Sequence, residues 1–221
     1  MRKRIIALIS FLCYIVCWTQ AADEHYYFKN LSIKDGLSQT TVNAIMQDKK
    51  GFMWFGTKGG LSRYDGMSFR NFKRDMNDNH SLGNNFVTCL YEDNKGNIWV
   101  GTDAGMYIYY SDREIFVPFN LLSRENTKID RTVSAISGDK EGRVWIAVET
   151  QGLFCYEPQE EQLHNYTLNS FSANVQSVTS DNSGTIWVGF YGSGLFYSKD
   201  NLKTLHPYLS PKDGEEVFKD D

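Results

Sequence analysis

A twelve-residue interval between a valine and a tryptophan recurs four times along this chain of 221 residues. The four pairs are Val42 and Trp54, Val87 and Trp99, Val133 and Trp145, and Val175 and Trp187. Successive tryptophans follow one another at 45, 46 and 42 residues. Self-similarity at this period predicts a repeat architecture, in which each unit buries its apolar face only against its neighbours.

Each unit contains four short stretches rich in β-branched and aromatic residues, separated by Gly, Asp and Asn. This composition is typical of β-strands, and no long segment has helical periodicity. Four strands in each unit of about 40 to 50 residues predict the blade of a β-propeller. We therefore expect an all-β fold, an incomplete β-propeller of four four-stranded blades plus one leading orphan strand. The blades are expected at about residues 42–72, 87–119, 133–166 and 175–208.

The orphan strand is predicted at residues 26–32, because Phe28 to Leu31 mirrors the last strand of the first blade, Phe69 to Phe72. The fourth blade already has a last strand of its own at Leu205 to Tyr208. Residues 23–209 are therefore expected to be part of a larger propeller, whose last blade would accept residues 26–32. Residues 210–221 are interpreted as a polar tail that starts a truncated next repeat.

An Asp-x-x-Gly sequence lies between the first two stretches of every unit and predicts a hairpin turn. A calcium loop is the alternative, but Asp93 to Gly96 has Lys95 where a ligand would be needed. The spacing also departs from the sialidase Asp-box, which has its Asp two residues before Gly. We assign a structural role to these glycines and to the tryptophans, which suit the core between blades better than sugar stacking. These residues are Gly51, Gly96, Gly142 and Gly184, and Trp54, Trp99, Trp145 and Trp187.

The first 22 residues have the pattern of a secretory signal peptide. Basic residues at positions 2–4 precede an apolar run from Ile5 to Trp18, and Ala21 suits cleavage. An uncleaved membrane anchor is the alternative. The segment holds three of the 23 Lys and Arg residues and none of the 27 Asp and Glu residues. The rest of the chain is therefore acidic, which argues against binding of nucleic acid or of anionic membranes.

No residue pattern points to a metal site, a cofactor or a catalytic centre. Cys89 and Cys155 lie in apolar stretches and are expected to be buried thiols, and the four histidines fall singly. We expect no cofactor, no metal and no catalysis in this chain.

Differences between the repeats point to one face as the ligand-binding face. The interval from valine to tryptophan is constant, whereas the loops after the second and fourth strands vary in length. In an up-and-down blade these variable loops emerge on the same face, and binding residues tend to lie on loops held by a rigid scaffold. The candidate ligand-binding residues are Lys58, Asp103, Glu149, Gln151 and Tyr191. Their amide, charges and aromatic ring suit a polar ligand such as an oligosaccharide.

The repeats resemble those of the two-component regulator propeller family. The resemblance rests on the run from Leu31 to Gln39, on the interval from Val42 to Trp54, and on Gly56-Thr57 before Gly60-Leu61. It covers residues 26 to about 208. The third and fourth copies depart from it, with Ala147-Val148 and Gly189-Phe190 in place of Gly-Thr.

The resemblance implies a periplasmic sensor, the extracytoplasmic part of a Bacteroides-type hybrid two-component histidine kinase. Such proteins detect glycan-derived ligands and signal to polysaccharide-use genes. The implied partners are an oligosaccharide, the remaining blades, the downstream sensor-kinase domains and a second subunit in a full-length homodimer, with the parent anchored in the inner membrane. Two alternatives stay open: a propeller carbohydrate-active enzyme, a glycosidase or lyase using Asp103 and Glu149, and a protein-docking scaffold.

Overall fold

The computed structural model describes residues 27–121, 128–166 and 174–208. The chain divides into two units, Met1–Asn30 and Leu31–Asp221. The described part of the first unit, residues 27–30, has neither helix nor strand, and every described strand belongs to the second unit. The predicted signal peptide and the predicted tail both lie outside the described residues.

Sixteen strands of the described residues form four antiparallel sheets, each with four strands in chain order. This result confirms the predicted all-β fold with four-stranded blades. Blade 1 contains β1 (Val42–Gln47), β2 (Met53–Thr57), β3 (Gly60–Tyr64) and β4 (Phe69–Phe72). Blade 2 contains β5 (Val87–Glu92), β6 (Ile98–Thr102), β7 (Gly105–Tyr110) and β8 (Ile115–Pro118). Blade 3 contains β9 (Val133–Gly138), β10 (Val144–Val148), β11 (Gly152–Glu157) and β12 (Gln162–Tyr166). Blade 4 contains β13 (Val175–Ser180), β14 (Ile186–Phe190), β15 (Gly194–Ser198) and β16 (His206–Pro207). The strands of each blade are called a to d in this order.

Residues 27–32 carry no strand in the structure. Ser32 instead caps a short 3₁₀ helix, Ile33–Asp35, and its amide donates to the Asp35 carboxylate at 2.8 Å. A second 3₁₀ helix, Phe119–Leu121, follows blade 2. The closure strand at 26–32 stays a prediction, because its expected acceptor is a blade other than the four described.

One aspartate organises the turn between strands a and b in every blade. In blade 3, Asp139 Oδ1 accepts hydrogen bonds from the backbone amides of Glu141 and Arg143, both at 3.0 Å. Its Oδ2 accepts one from Trp145 Nε1 at 2.8 Å. The equivalent bonds of Asp48, Asp93 and Asp181 measure 2.8–3.1 Å. The same carboxylate therefore closes the turn and fixes the indole of strand b.

Glycine is required in this turn by the backbone conformation. Gly142 has φ +81° and donates its amide to the Asp139 carbonyl at 3.0 Å. The three equivalent glycines have φ between +81° and +89°. Residues with a Cβ rarely adopt this left-handed conformation, which explains why Asp and Gly recur together.

The indoles of the first three strands b lie in the contact between one blade and the next, whereas half-buried Trp187 packs on Tyr197 and Tyr208 of its own blade. Trp54 packs with Val87 and Ile98 of blade 2. Trp99 and Trp145 are packed in the same way against blades 3 and 4, and all three indoles are buried. Burial of aromatic surface of this size stabilises each contact by about 2–3 kcal/mol.

Hydrogen bonds between neighbouring strands a join the blades at their inner ends. Asn43 Nδ2 donates to the Val87 carbonyl at 2.8 Å, and Thr88 Oγ1 donates to the Val133 carbonyl at 2.6 Å. Ser134 Oγ repeats the bond to the Val175 carbonyl at 2.7 Å. In each case the second residue of strand a bonds to the first residue of the next strand a, so successive blades share one register.

Replacing Asp139 with alanine should lower the free energy of unfolding by about 2–3 kcal/mol, because two backbone amides, the Trp145 indole and the Arg143 guanidinium lose a charged acceptor. Denaturant unfolding followed by intrinsic fluorescence would measure the change. The control is Asp112→Ala, whose side chain is 74% exposed in the c–d turn of blade 2 and which should cost less than about 0.5 kcal/mol. Equal losses in the two variants would contradict the role given to Asp139.

Blade 4 should lose stability in acid through Asp200. Hydrogen bonds from Thr204 and Ser198 lower the pKa of the Asp200 carboxyl from 3.8 to about 2. A lowered pKa in the folded state means that the contribution is complete above pH 3.8 and is lost as the pH falls through about 2. Asp200→Asn should therefore flatten the decline of the unfolding midpoint over this range. A decline identical to that of the wild type would contradict the prediction.

Candidate functional site

Four of the five predicted ligand-binding residues occupy the same structural position. Lys58, Asp103, Glu149 and Tyr191 each follow strand b directly. Their backbone amides donate to the carbonyls of the residues that precede strand a of the same blade, at 3.4, 3.1, 2.8 and 3.0 Å respectively. This repeated bond holds the b–c loop beside the end of the d–a connection. The four side chains therefore start from equivalent backbone positions in the four blades.

These equivalent positions differ in chemistry and in exposure. Lys58 and Asp103 are exposed, Glu149 is half-buried, and the Tyr191 side chain is 72% exposed. The ammonium group of Lys58 lies 5.3 Å from the centroid of the Phe86 ring. The face thus offers a cation, two carboxylates and a phenol on one backbone framework.

Gln151, the fifth predicted residue, hydrogen-bonds to the d–a connection that leads into blade 3. Its Nε2 donates to the Lys128 carbonyl at 2.9 Å, and its Oε1 accepts from the Asp130 amide at 3.3 Å. The side chain thereby braces residues 128–130. Its contact with a ligand stays a prediction.

The difference in b–c loop length has a specific cause. In blade 1, buried Thr57 ends strand b, and its Oγ1 donates to the Gly60 carbonyl at 2.8 Å across a two-residue loop. Thr102 makes the equivalent bond in blade 2. Blades 3 and 4 have Val148 and Phe190 at this position and a three-residue loop. The loop is tight where a threonine hydroxyl closes it.

A groove of about 680 Å³ lies between blades 2 and 3, at the other end of the strands. Its walls include Tyr91, Asn97 and Tyr110 on blade 2 and Tyr156 and Glu157 on blade 3. The volume is within the range of small-molecule sites. Burial, followed by the nearby carboxylates, raises the pKa of the Tyr91 phenol, and burial also raises that of Tyr110. Both phenols stay protonated at neutral pH and retain a hydrogen-bond donor.

This groove was not predicted from the sequence, because the constant interval from valine to tryptophan suggested that the blades are alike at their a–b turns. The available signal was the residue two positions before each tryptophan, which differs in every blade. These residues are Phe52, Asn97, Arg143 and Thr185.

The described part of the chain contains neither a group of metal-ligating side chains nor a cysteine with a lowered pKa. No group of three or more His, Cys, Asp and Glu side chains that could hold a metal ion occurs among residues 27–121, 128–166 and 174–208. Burial raises the pKa of both Cys89 and Cys155 to about 12, and both are free thiols. They remain protonated at neutral pH and are poor nucleophiles.

Helices of the described residues are too short or too polar to cross a membrane. The predicted signal segment lies outside these described residues.

Residues 36–59 and 81–104 match the family described as two component regulator propeller. A curated histidine kinase, Histidine kinase P4 from Formosa agariphila, is 36% identical over 77 residues, which cover 35% of this chain and 5% of the kinase.

Two solved structures from B. thetaiotaomicron share the fold. The extracellular domain of the hybrid two component system BT3049 is 23% identical with a TM-score of 0.73, and the match covers 85% of this chain and 27% of that chain. The extracellular domain of BT4673 is 20% identical with a TM-score of 0.70, and the match covers 83% and 27%. The chain thus spans about a quarter of the length of each structure.

Proposed function

We propose that this chain, which carries repeats of the two-component regulator propeller family, is a periplasmic sensor module that detects a glycan-derived ligand. The observation that supports this proposal is the set of four equivalent b–c positions, Lys58, Asp103, Glu149 and Tyr191. They present different polar and aromatic groups on a constant backbone. Such an arrangement separates the framework, which is repeated, from the chemistry, which varies.

The chemistry of these positions suits a sugar better than a purely apolar ligand. An exposed phenol such as Tyr191 offers a flat apolar surface to a sugar ring and a hydroxyl at its edge. Carboxylates at Asp103 and Glu149 accept hydrogen bonds from sugar hydroxyls, and Lys58 donates to oxygens or to an acidic sugar. These groups bind and orient, and the proposed role needs no bond-breaking step.

The signalling steps would take place in other parts of a longer protein. We infer that the partners of this module are further propeller blades and the downstream domains of a hybrid histidine kinase, in a homodimeric protein anchored in the inner membrane. Ligand binding would then bias the kinase that controls polysaccharide-use genes. The supporting facts are the similarity to a histidine kinase and the fold shared with extracellular domains of hybrid systems.

Glycan binding should raise the thermal unfolding midpoint, because a ligand that binds only the folded chain stabilises it by mass action. A panel of neutral and acidic oligosaccharides is the probe. Tyr191→Ala should weaken the affinity for any sugar that binds by about ten-fold, equivalent to about 1.4 kcal/mol.

The matched control is Met67→Ala, an exposed residue outside the b–c loops that should leave the sugar affinity unchanged. If no sugar in the panel shifts the midpoint, ligand sensing by this chain is contradicted and a protein-docking scaffold is favoured.

A second candidate, a carbohydrate-active enzyme, is favoured by one observation. Asp103 and Glu149 occupy equivalent positions on adjacent blades, and glycoside hydrolysis needs two carboxylates on either side of the scissile bond.

Product analysis after incubation with oligosaccharides would distinguish the enzyme from the sensor. The sensor proposal predicts no cleavage by the wild type or by the double variant Asp103→Asn, Glu149→Gln. Cleavage that the double variant loses would establish the enzyme and overturn the sensor.

A further inference from the structure

Each blade meets the preceding blade with one face of its sheet, called here the near face, and the following blade with the other, called the far face. On the near face of blade 2, five apolar or aromatic side chains share a core cluster with Trp54 from the far face of blade 1. All five are at most 2% exposed. They are Val87, Ile98, Val100, Tyr109 and Phe116.

The near face of blade 1 carries apolar or aromatic side chains at the same five positions, but there they are only half-buried. The strand register identifies them as Val42, Met53, Phe55, Tyr64 and Phe69. Ile45, three residues after the first of them, is 62% exposed, whereas its equivalents in blades 3 and 4, Ile136 and Val178, are buried. This face therefore has the composition of a contact between blades without its burial.

The far face of blade 4 shows the complementary difference. Trp187 is half-buried, whereas the other three indoles of strand b are at most 2% exposed. Its Nε1 still donates to Asp181 at 3.0 Å, so the indole is held as it is in the contacts between blades. Leu195 of strand c is also half-buried, and Tyr208, whose ring centroid lies 5.0 Å from that of Trp187, is 53% exposed.

The inner ends of these two faces also offer a matching donor and acceptor. In the three contacts between blades, the side chain of the second residue of strand a donates to the carbonyl of the first residue of the next strand a. The second residue of strand a in blade 4 is Gln176, an exposed amide like Asn43 of blade 1. The first residue of strand a in blade 1 is Val42, whose carbonyl is the equivalent acceptor.

We propose that the far face of blade 4 packs on the near face of blade 1 of a second copy of this chain. The contact repeats those between successive blades: Trp187 meets the apolar near face, and Gln176 donates to the Val42 carbonyl. Burial of the indole and of the half-exposed apolar side chains drives the association. A second copy is the occupant because each copy carries both halves of the contact, which is therefore head-to-tail.

This association uses neither the b–c loops nor the groove between blades 2 and 3, and it does not depend on the proposed glycan sensing. Further blades of a longer protein would compete for the same two faces. Self-association is thus a property expected of the 221-residue chain itself.

The test is sedimentation equilibrium of the 221-residue chain between about 1 and 100 µM, a range that covers dissociation constants typical of modest interfaces. The wild type should reach at least twice the monomer mass. Ile45→Glu on the near face and Tyr208→Glu on the far face should each weaken association at least about ten-fold, because each buries a charge in the contact. Met76→Glu, which places the same charge on an exposed side chain between blades 1 and 2, is the matched control and should associate like the wild type.

An equimolar mixture of the Ile45→Glu and Tyr208→Glu variants distinguishes a head-to-tail contact from one between identical faces. The first variant keeps an intact far face and the second an intact near face, so the mixture should recover a one-to-one dimer. A contact between identical faces would be weakened by only one of the two substitutions.

Gln176→Ala is a second far-face variant, which removes one donor and keeps the test valid if Tyr208→Glu fails to fold. It should weaken association measurably, and its mixture with Ile45→Glu should recover the dimer. A monomeric wild type, association that survives the near-face or the far-face substitution, or a mixture of folded variants that stays monomeric would overturn the proposal.

Discussion

The hydrogen bond from a tryptophan indole to the aspartate six residues before it is the interaction on which the fold depends most. The aspartate also accepts two backbone amides in its turn, and these bonds fix the carboxylate to which the indole donates. The indole is thereby aimed at the next blade, where it meets Val87 in the first contact and its counterparts in the others. Local turn chemistry and packing between blades therefore rest on one carboxylate. In blades 1 and 3, where this hydrogen bond is buried, loss of either partner would leave a buried polar atom unpaired.

This coupling explains how much of the fold can be predicted from the sequence. The valine, the aspartate, the glycine and the tryptophan stand within twelve residues of one another, and each acts through a local contact or a contact with the next repeat. Four-stranded blades follow from that pattern, and the structure confirms them. The resemblance to regulator propellers is also confirmed, by the match at residues 36–59 and 81–104 and by the shared fold.

The candidate sites are less accessible to prediction, for physical reasons. The b–c positions could be found because loop length is visible in the sequence, whereas the bracing of residues 128–130 by Gln151 depends on a contact across 23 residues. The groove between blades 2 and 3 is formed jointly by side chains of the two blades, such as Tyr110 and Tyr156. Such a volume can be recognised only when the facing residues of two blades are compared.

The hydrogen bonds between neighbouring strands a have one further consequence. The donor side chain is an amide in Asn43 and a hydroxyl in Thr88 and Ser134, but the acceptor is always a backbone carbonyl. Every blade offers that carbonyl whatever its own side chains are. A blade can therefore be duplicated, deleted or exchanged during evolution without a compensating change in its neighbour at this contact. This contact between strands a does not depend on the side chains of the accepting blade, so substitutions can accumulate in the loops and grooves without weakening it.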